Sequence, residues 1–427
     1  MDKLYQLTSK KKENRIVFIK ELFNKVIHKI KYKKFIPYNK EIYIVEDKVI
    51  YKDKNQIKIK PKIIKKRNSG IDLIRILAML GIIYTHILFQ GKGIYKYRKY
   101  NLIKTHCFVC WHNNAFSLIS GIVGYKSTKY TNLLYLWLCV VFYSVGIRYY
   151  YLKFKPGSNI NGELYQECFP VIYKRYWYFS SYFGLFIFLP AVNKGLQYLS
   201  KPEFKLLVIS IFYIFAFWFN YINNKIDVFF INRGYSTIWL LCLYIFGVYL
   251  GKFNLIFIGI KRYIFSLIYL FMFLSLCSLY YKYRDYTTSN INGNYKKNFI
   301  NFIKKLMPDN LNNVLKTSQA ILITLFFLQL KYNEYLSKII TFFGPLTFGV
   351  YLIHINANVY QNYLKEILIK EPDNLISREV IKMFIFKTVK LFFLCIVIEY
   401  LRHLLFTILK IRKICQYIEK IAFKIVS

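Results

Sequence analysis

The fold is decided by the stretch Ser69–His86, which reads SGIDLIRILAMLGIIYTH. Its apolar character continues to Phe89, so that Ile71–Phe89 matches the roughly 20 residues that cross the hydrocarbon core of a bilayer. Hydrocarbon offers no hydrogen bonds to the backbone, and such a segment must satisfy its own peptide groups. The stretch therefore predicts a membrane-spanning helix, with Arg75 and His86 inside it.

Similar apolar blocks recur along the chain at Leu133–Leu152, Phe204–Ile222, Ile264–Tyr281 and Phe384–Leu409. Together with weaker segments they predict an all-α, polytopic membrane protein with about ten spans. The predicted spans are 71–89, 107–124, 133–152, 176–192, 204–222, 236–250, 263–281, 317–330, 342–362 and 385–409. The second, fourth, eighth and ninth are the most polar or interrupted, which is tolerated where a span faces a cavity. A functional site is therefore expected among them.

The net charge of the chain is strongly positive, because 63 Lys and Arg stand against 21 Asp and Glu, giving +42. In a soluble domain this balance would indicate nucleic-acid binding. Here the apolar blocks confine the charge to loops and tails, where it favours anionic lipid or an anionic ligand. We therefore expect the lipid bilayer, and no nucleic acid, among the partners.

The N-terminal extension, residues 1–68, contains 21 Lys or Arg and 7 Asp or Glu. Apolar residues at helical spacing between Ile16 and Ile30 are typical of a helix on anionic lipid, and equally of a short helix in a small soluble cap. The β-branched residues of Glu41–Lys60 indicate a hairpin.

The orientation of the chain is predicted from the same extension, whose basic residues favour the cytoplasm. With an even number of spans, the basic C-terminal tail, residues 411–427, lies on that side too, in a multi-pass protein of the plasma membrane. The loop Lys282–Lys316 would then be external, and its seven basic residues favour the opposite orientation.

Arg75 and His86 are eleven residues apart, which is about three helical turns and about 16 Å along the axis. They are therefore expected on one face of the first span. Alone, Arg75 would be interpreted as a snorkelling residue and His86 as a core histidine. Two costly polar groups on one face of a span favour a functional site.

Four segments resemble the membrane acyltransferase-3 family, whose members acylate carbohydrates and other surface molecules. The family's first helix has Asp-x-x-Arg and then His eleven residues after the Arg, as in Asp72, Arg75 and His86. The resemblance covers about residues 69–410, which we expect to form the acyltransferase domain. The three further segments, in family order, are Asn114–Lys126 with Ser120, Tyr176–Asn193 with Ser180, and Gly344–His354.

The resemblance implies an O-acyltransferase that moves an acyl group, expected to be acetyl, from cytoplasmic acyl-CoA to a hydroxyl of a surface glycan or its lipid-linked precursor. His86 is expected to act as the general base, because histidine titrates nearest neutral pH. The guanidinium of Arg75 is suited to phosphate or amide oxygens of the donor. Acyl-CoA is then a substrate, and neither a bound cofactor nor a metal is required.

One departure from the family concerns the donor site. An Arg-x-x-Arg pair often follows the second helix in the family, and Lys126 and Lys129 stand at that spacing here. Lysine keeps the charge and loses the bidentate fork. The two lysines are candidates for donor binding, and ordinary membrane-surface charge is the alternative.

Several other residues are candidates for the substrate pocket. Trp177 and Tyr178 are suited to stacking on a substrate, and equally to an interfacial aromatic belt. Glu399 stands one turn from Arg402, which favours an internal ion pair over assistance to His86. His106 and His112 have metal-like spacing but lack a second ligand cluster, so no metal is expected. The resemblance adds Asp72, Asn114, Ser120, Ser180 and His354 as pocket candidates.

Two other classes of function fit parts of the sequence. A membrane transporter of a small anionic or carbohydrate-like solute would also combine broken helices with intramembrane charge. No repeated pair of Gly- or Pro-interrupted spans in the two halves supports it. A non-catalytic membrane scaffold would not need Arg75 and His86, and their presence argues against that class.

Overall fold

The structure is a computed structural model. It describes residues 67–97, 100–125, 129–158, 160, 162–222, 227–253, 264, 266–275, 277–278, 310–369 and 371–426, together with four short strands between 44 and 64. The chain divides into two compact units, one of Met1–Arg67 with Phe257–Lys261 and a second of Asn68–Ile256 with Arg262–Ser427. The predicted helix between Ile16 and Ile30, Lys126 and most of the loop Lys282–Lys316 lie outside the described residues.

The first unit contains two pairs of antiparallel strands. Strand β2, Val49–Asp53, pairs with β3, Gln56–Lys60, in the register Val49 to Lys60, so that the two form a hairpin within the β-branched stretch. Strand β1, Ile44–Val45, pairs with β4, Ile63–Ile64, on either side of that hairpin in sequence.

In the second unit, every regular element of the described residues is helical. Its helices are α1 Ser69–Phe89, α2 Gly93–Tyr97, α3 Tyr100–Val109, α4 His112–Gly124, α5 Tyr130–Phe154, α6 Leu164–Cys168, α7 Trp177–Tyr198, α8 Lys201–Ile211, α9 Thr237–Lys252, α10 Ser266–Ser275, α11 Val314–Leu328, α12 Glu334–Phe343, α13 Thr347–His354, α14 Ala357–Val359, α15 Ser377–Ile408 and α16 Ile411–Val426. Helix α8 continues as a π-helix over Phe212–Ile222, and a 3-10 turn at Gly344–Leu346 connects α12 to α13. A second 3-10 turn lies at Asn232–Gly234, and a π-helical turn at Tyr360–Leu364 follows α14.

Three helical stretches of the described chain are long and apolar enough to cross a membrane: Ser69–Phe89, Tyr130–Phe154 and Glu334–His354. Helices α9, α10 and α11 are apolar and shorter. The prediction of a helical fold is thereby confirmed, and three helical stretches are candidate membrane spans. The count of about ten spans and the cytoplasmic side of the basic tail stay predictions.

Helix α1 is the central element of the second unit, where it packs against α3, α4, α11, α12, α13 and α15. It begins at an Asn68 cap, whose side chain accepts a hydrogen bond of 2.9 Å from the backbone N–H of Gly70. The start of α1 meets the end of α11, because a Cβ on Gly70 would overlap the carbonyl oxygen of Phe327. Further along α1, a Cβ on Gly81 would lie 3.2 Å from the ring of His112, whose electrostatic neighbour Lys316 is in the first turn of α11. The two helices therefore run antiparallel.

Helices α4 and α9 cross closely, and this crossing explains the glycine at position 121 in the family-like segment Asn114–Lys126. A Cβ on Gly121 would overlap the carbonyl oxygen of Tyr244, and one on Gly247 would overlap that of Leu118. Small residues let helix backbones approach in membranes, where van der Waals packing holds helices together. Gly121 therefore contributes to packing between helices and not to a binding surface.

Replacing Gly121 by Ala is expected to destabilise the protein, because overpacking a tight contact typically costs about 1–3 kcal/mol. The melting temperature of the detergent-purified protein measures this. Gly146→Ala in α5 is the matched control, since a Cβ there meets nothing within 4 Å. Equal melting temperatures for the two variants would contradict the close crossing.

Candidate functional site

A cavity of about 760 Å³ lies beside α1 and is lined by side chains from α1, α3, α4, α5, α7, α11 and the α12–α13 region. This volume is in the range of small-molecule binding sites. Its polar or aromatic lining includes Arg75, Thr85, His86, Gln90, His106, His112, Asn113, Ser120, Trp177, Tyr178, Tyr182, Tyr235, Lys316 and Tyr351.

One face of α1 forms a wall of this cavity. Arg75, Met79, Ile82, His86 and Phe89 all line it, at spacings of three and four residues. This spacing places side chains on the same side of a helix. Arg75 and His86 therefore share one cavity and are separated along it by about three turns of helix, or about 16 Å.

At one end of the wall, a buried carboxylate holds Arg75. Nη1 of Arg75 donates a hydrogen bond of 2.8 Å to Oδ1 of Asp72, whose side chain is 0% exposed. Asp72 packs closely against Gly344, where a Cβ would overlap the carboxyl group. A buried carboxylate is costly unless it is paired. Asp72 thus fixes the guanidinium from behind, and the side chain of Arg75 remains 26% exposed.

At the other end, His86 contacts His354. Nδ1 of His86 lies 3.0 Å from Nε2 of His354, and Nδ1 of His354 lies 2.7 Å from the carbonyl oxygen of Val350. A carbonyl only accepts, so His354 donates from Nδ1 and, in its neutral form, carries a lone pair on Nε2. That lone pair accepts the Nδ1–H of neutral His86. The free lone pair of His86 is then on Nε2, the nitrogen that can take up a proton.

Another set of polar side chains surrounds Thr85, the residue directly before His86. The hydroxyl of Thr85 lies 3.0 Å from Nε2 of His112 and 3.4 Å from Nδ1 of His106. Both histidines and Lys316 are buried and line the cavity. Within the described part of the chain, no three His, Cys, Asp or Glu side chains are grouped so as to hold a metal ion.

The aromatic candidates Trp177 and Tyr178 also line the cavity. The ring of Trp177 lies 4.7 Å from that of Tyr235, and the ring of Tyr178 lies 6.3 Å from that of Tyr351. Both candidates are partly buried, so they face the protein interior and not lipid alone. Ser120 lines the cavity too, while its hydroxyl donates to the carbonyl of Phe116 at 2.8 Å.

Other predicted site residues lie away from the cavity wall. Asn114 donates to the carbonyl oxygen of Leu311 at 2.8 Å and accepts from the indole of Trp239 at 3.2 Å. The hydroxyl of Ser180 donates to the carbonyl of Val171 at 3.2 Å. These bonds satisfy the polar side chains, and the two carbonyl acceptors lie in the connecting segments before α11 and α7.

Glu399 and Lys129 are also outside the lining. Glu399 forms an ion pair with Arg402 and accepts a hydrogen bond of 2.6 Å from the hydroxyl of Tyr143. This is the internal pair that the sequence favours. Lys129 is exposed at the start of α5.

Thr85 and Lys316 were not predicted from the sequence. Thr85 directly precedes His86. A hydroxyl residue next to a histidine inside a predicted span was the signal in the sequence that could have identified it. Lys316 stands at the boundary between a basic loop and the weak eighth span, where its charge resembles ordinary loop charge. Only the packing of α11 shows that it faces the cavity.

A family model described as an acyltransferase domain matches residues 68–401 of the chain. This range begins at the cap of α1 and ends within α15, so it includes every residue that lines the cavity. No curated protein and no solved structure gives a significant match.

Proposed function

The chain belongs to the acyltransferase-3 family, and we propose that it transfers an acyl group, expected to be acetyl, from acyl-CoA to a hydroxyl of a surface glycan or its lipid-linked precursor. The observation that carries the proposal is the shared cavity of Arg75 and His86. A cation suited to the donor and a base suited to a hydroxyl face the same space. This arrangement suits the meeting of the reacting ends of the two substrates of an acyl transfer.

The chemical step uses the free lone pair on Nε2 of His86. It accepts the proton of the sugar hydroxyl while the oxygen attacks the carbonyl carbon of the thioester. The bond between carbon and sulfur then breaks, and the new ester forms on the sugar. The leaving thiolate of coenzyme A takes the proton back from His86, so that the enzyme returns to its starting state.

His354 acts as a positioning residue in this proposal. Its Nε2 accepts the Nδ1–H of His86, and its own Nδ1 is bound to the carbonyl of Val350. Such a partner fixes both the tautomer and the ring orientation of a histidine. It also stabilises the cation that forms when His86 accepts a proton.

Arg75 binds the donor in this proposal. Asp72 orients its guanidinium, and the planar fork can contact two oxygens of a phosphate or amide group. The extended arm of acyl-CoA would then lead from the Arg75 end of the wall to the His86 end. Lys126 and Lys129 stay candidates for binding the donor's phosphates.

The topology of the proposal follows from the donor. Acyl-CoA is cytoplasmic, so the Arg75 end of α1 is placed near the cytoplasm and the His86 end nearer the outside of the cell membrane. The N-terminal extension is then cytoplasmic and within reach of anionic lipid, and with an even number of spans the C-terminus lies on the same side.

Replacing His86 by Ala is expected to lower the rate of transfer by roughly 10²–10⁴-fold, the usual contribution of a general base. Isolated membranes with labelled acetyl-CoA and endogenous acceptor provide the assay. His403→Ala is the control, because His403 is an exposed histidine on α15. If His86→Ala retains transfer close to that of His403→Ala, His86 is not the base.

Replacing His354 separates positioning from packing. His354→Leu is expected to lower kcat and leave the KM for acetyl-CoA unchanged, because the tautomer of His86 is no longer fixed. His354→Gln should restore part of kcat, since its amide oxygen can accept the Nδ1–H of His86. Equal activities of the Leu and Gln variants, at equal melting temperature, would contradict the positioning role.

A further inference from the structure

Lys316 is a buried cation on the wall of the cavity that the proposed mechanism leaves without a role. It lies in the first turn of α11, three residues after the Asn313 cap, and is only 5% exposed. Charged groups inside a membrane protein are costly and generally face a substrate path. Lys316 follows this rule, because its side chain lines the cavity.

The antiparallel packing of α1 and α11 shows which end of the cavity Lys316 occupies. Gly70, at the start of α1, meets Phe327 near the end of α11. Lys316 precedes Phe327 by eleven residues, or about 16 Å of helix. It therefore lies toward the His86 end of α1 and away from the Arg75 end.

The residues around Lys316 lead to the same conclusion. His106 and His112 are its electrostatic neighbours. Both histidines contact the hydroxyl of Thr85, which directly precedes His86 in α1. The ammonium group of Lys316 therefore lies among the polar side chains beside His86, the proposed base.

The charge of the cavity identifies the chemistry of its ligand. Arg75 and Lys316 are the cations of its described lining, and no Asp or Glu is among those lining residues. Asp72 pairs with Arg75 from behind the wall. Low-dielectric walls strengthen the attraction between a cation such as Lys316 and an anionic group of a bound ligand.

We propose that Lys316 binds an anionic group of the acceptor, a carboxylate or a phosphate close to the hydroxyl that is acylated. This inference rests on the proposed function, in which donor phosphates lie at the Arg75 end. The acceptor hydroxyl must reach Nε2 of His86, so an anion beside Lys316 belongs to the acceptor. The substrate class is then an acidic sugar or a phosphate-bearing glycan.

The direct test is mass spectrometry of surface glycans from cells that lack the gene and from cells that make wild-type protein, Lys316→Gln or Lys338→Gln. Lys338 is the matched control, since it is 74% exposed on α12. The gene-dependent ester should lie on an acidic or phosphate-bearing sugar. Lys316→Gln should lower it by roughly 30-fold, as expected for a lost buried charge contact, and Lys338→Gln should not.

The outcomes separate this inference from the proposed function. An ester on a neutral sugar without a neighbouring anion, or an unchanged ester in Lys316→Gln, would overturn the anion subsite and leave the acyltransferase intact. The absence of any gene-dependent ester would overturn the proposed function itself, and the subsite with it.

Kinetics in isolated membranes distinguish the possible sources of the anion. The acceptors are glycan from cells lacking the gene, the same glycan after carboxyl reduction, and the same glycan after removal of phosphate. One of the two treatments should raise the acceptor KM for the wild-type protein and have little effect on Lys316→Gln. Lys316→Arg, which keeps the charge, should retain the wild-type preference and checks that folding is intact.

Two kinetic results would overturn the inference. Lys316→Gln could raise the KM for acetyl-CoA and leave the acceptor KM unchanged, which would assign Lys316 to the donor. Alternatively, neither chemical treatment of the glycan could affect transfer by the wild-type protein, which would exclude recognition of an acceptor anion.

Discussion

The polar side chains of α1 impose the constraint on which the rest of the structure depends. Arg75 and His86 lie in an apolar helix that is long enough to cross a bilayer, where each polar group needs a partner or a cavity. The segment Gly344–His354 helps to satisfy both: Gly344 packs against Asp72, the partner of Arg75, and His354 binds His86. One broken helix region thus supports both ends of the cavity wall.

Much of the site could be predicted because α1 is a single long helix. The period of 3.6 residues places Arg75 and His86 on one face whatever surrounds them, and the structure puts a cavity on that face. The apolar blocks likewise predict helices, because hydrocarbon excludes other backbone structures. Trp177 and Tyr178 begin a weak span, and they also line the cavity.

The remaining parts depend on which helices meet, and a linear pattern does not contain that information. Asn114 and Ser180 stand in family-like segments, but they donate hydrogen bonds to carbonyl oxygens of connecting segments and do not line the cavity. In the sequence, Lys316 looks like one more basic residue of the preceding loop. The antiparallel packing of α11 places it beside His106 and His112. The tautomer of His86 depends on His354, which is 268 residues away in sequence. Long-range contacts of this kind follow from tertiary packing alone.

We propose that α1 leads from a cytoplasmic donor end at Arg75 to an acceptor end at His86. Sealed membrane vesicles of known orientation test it most directly, because acetyl-CoA does not cross the bilayer. With labelled acetyl-CoA added outside, we predict that inside-out vesicles acylate their enclosed glycan acceptor. Right-side-out vesicles should do so only after permeabilisation. Labelling of intact right-side-out vesicles, with none in inside-out vesicles, would reverse the orientation of α1 and contradict the proposed path from donor to acceptor.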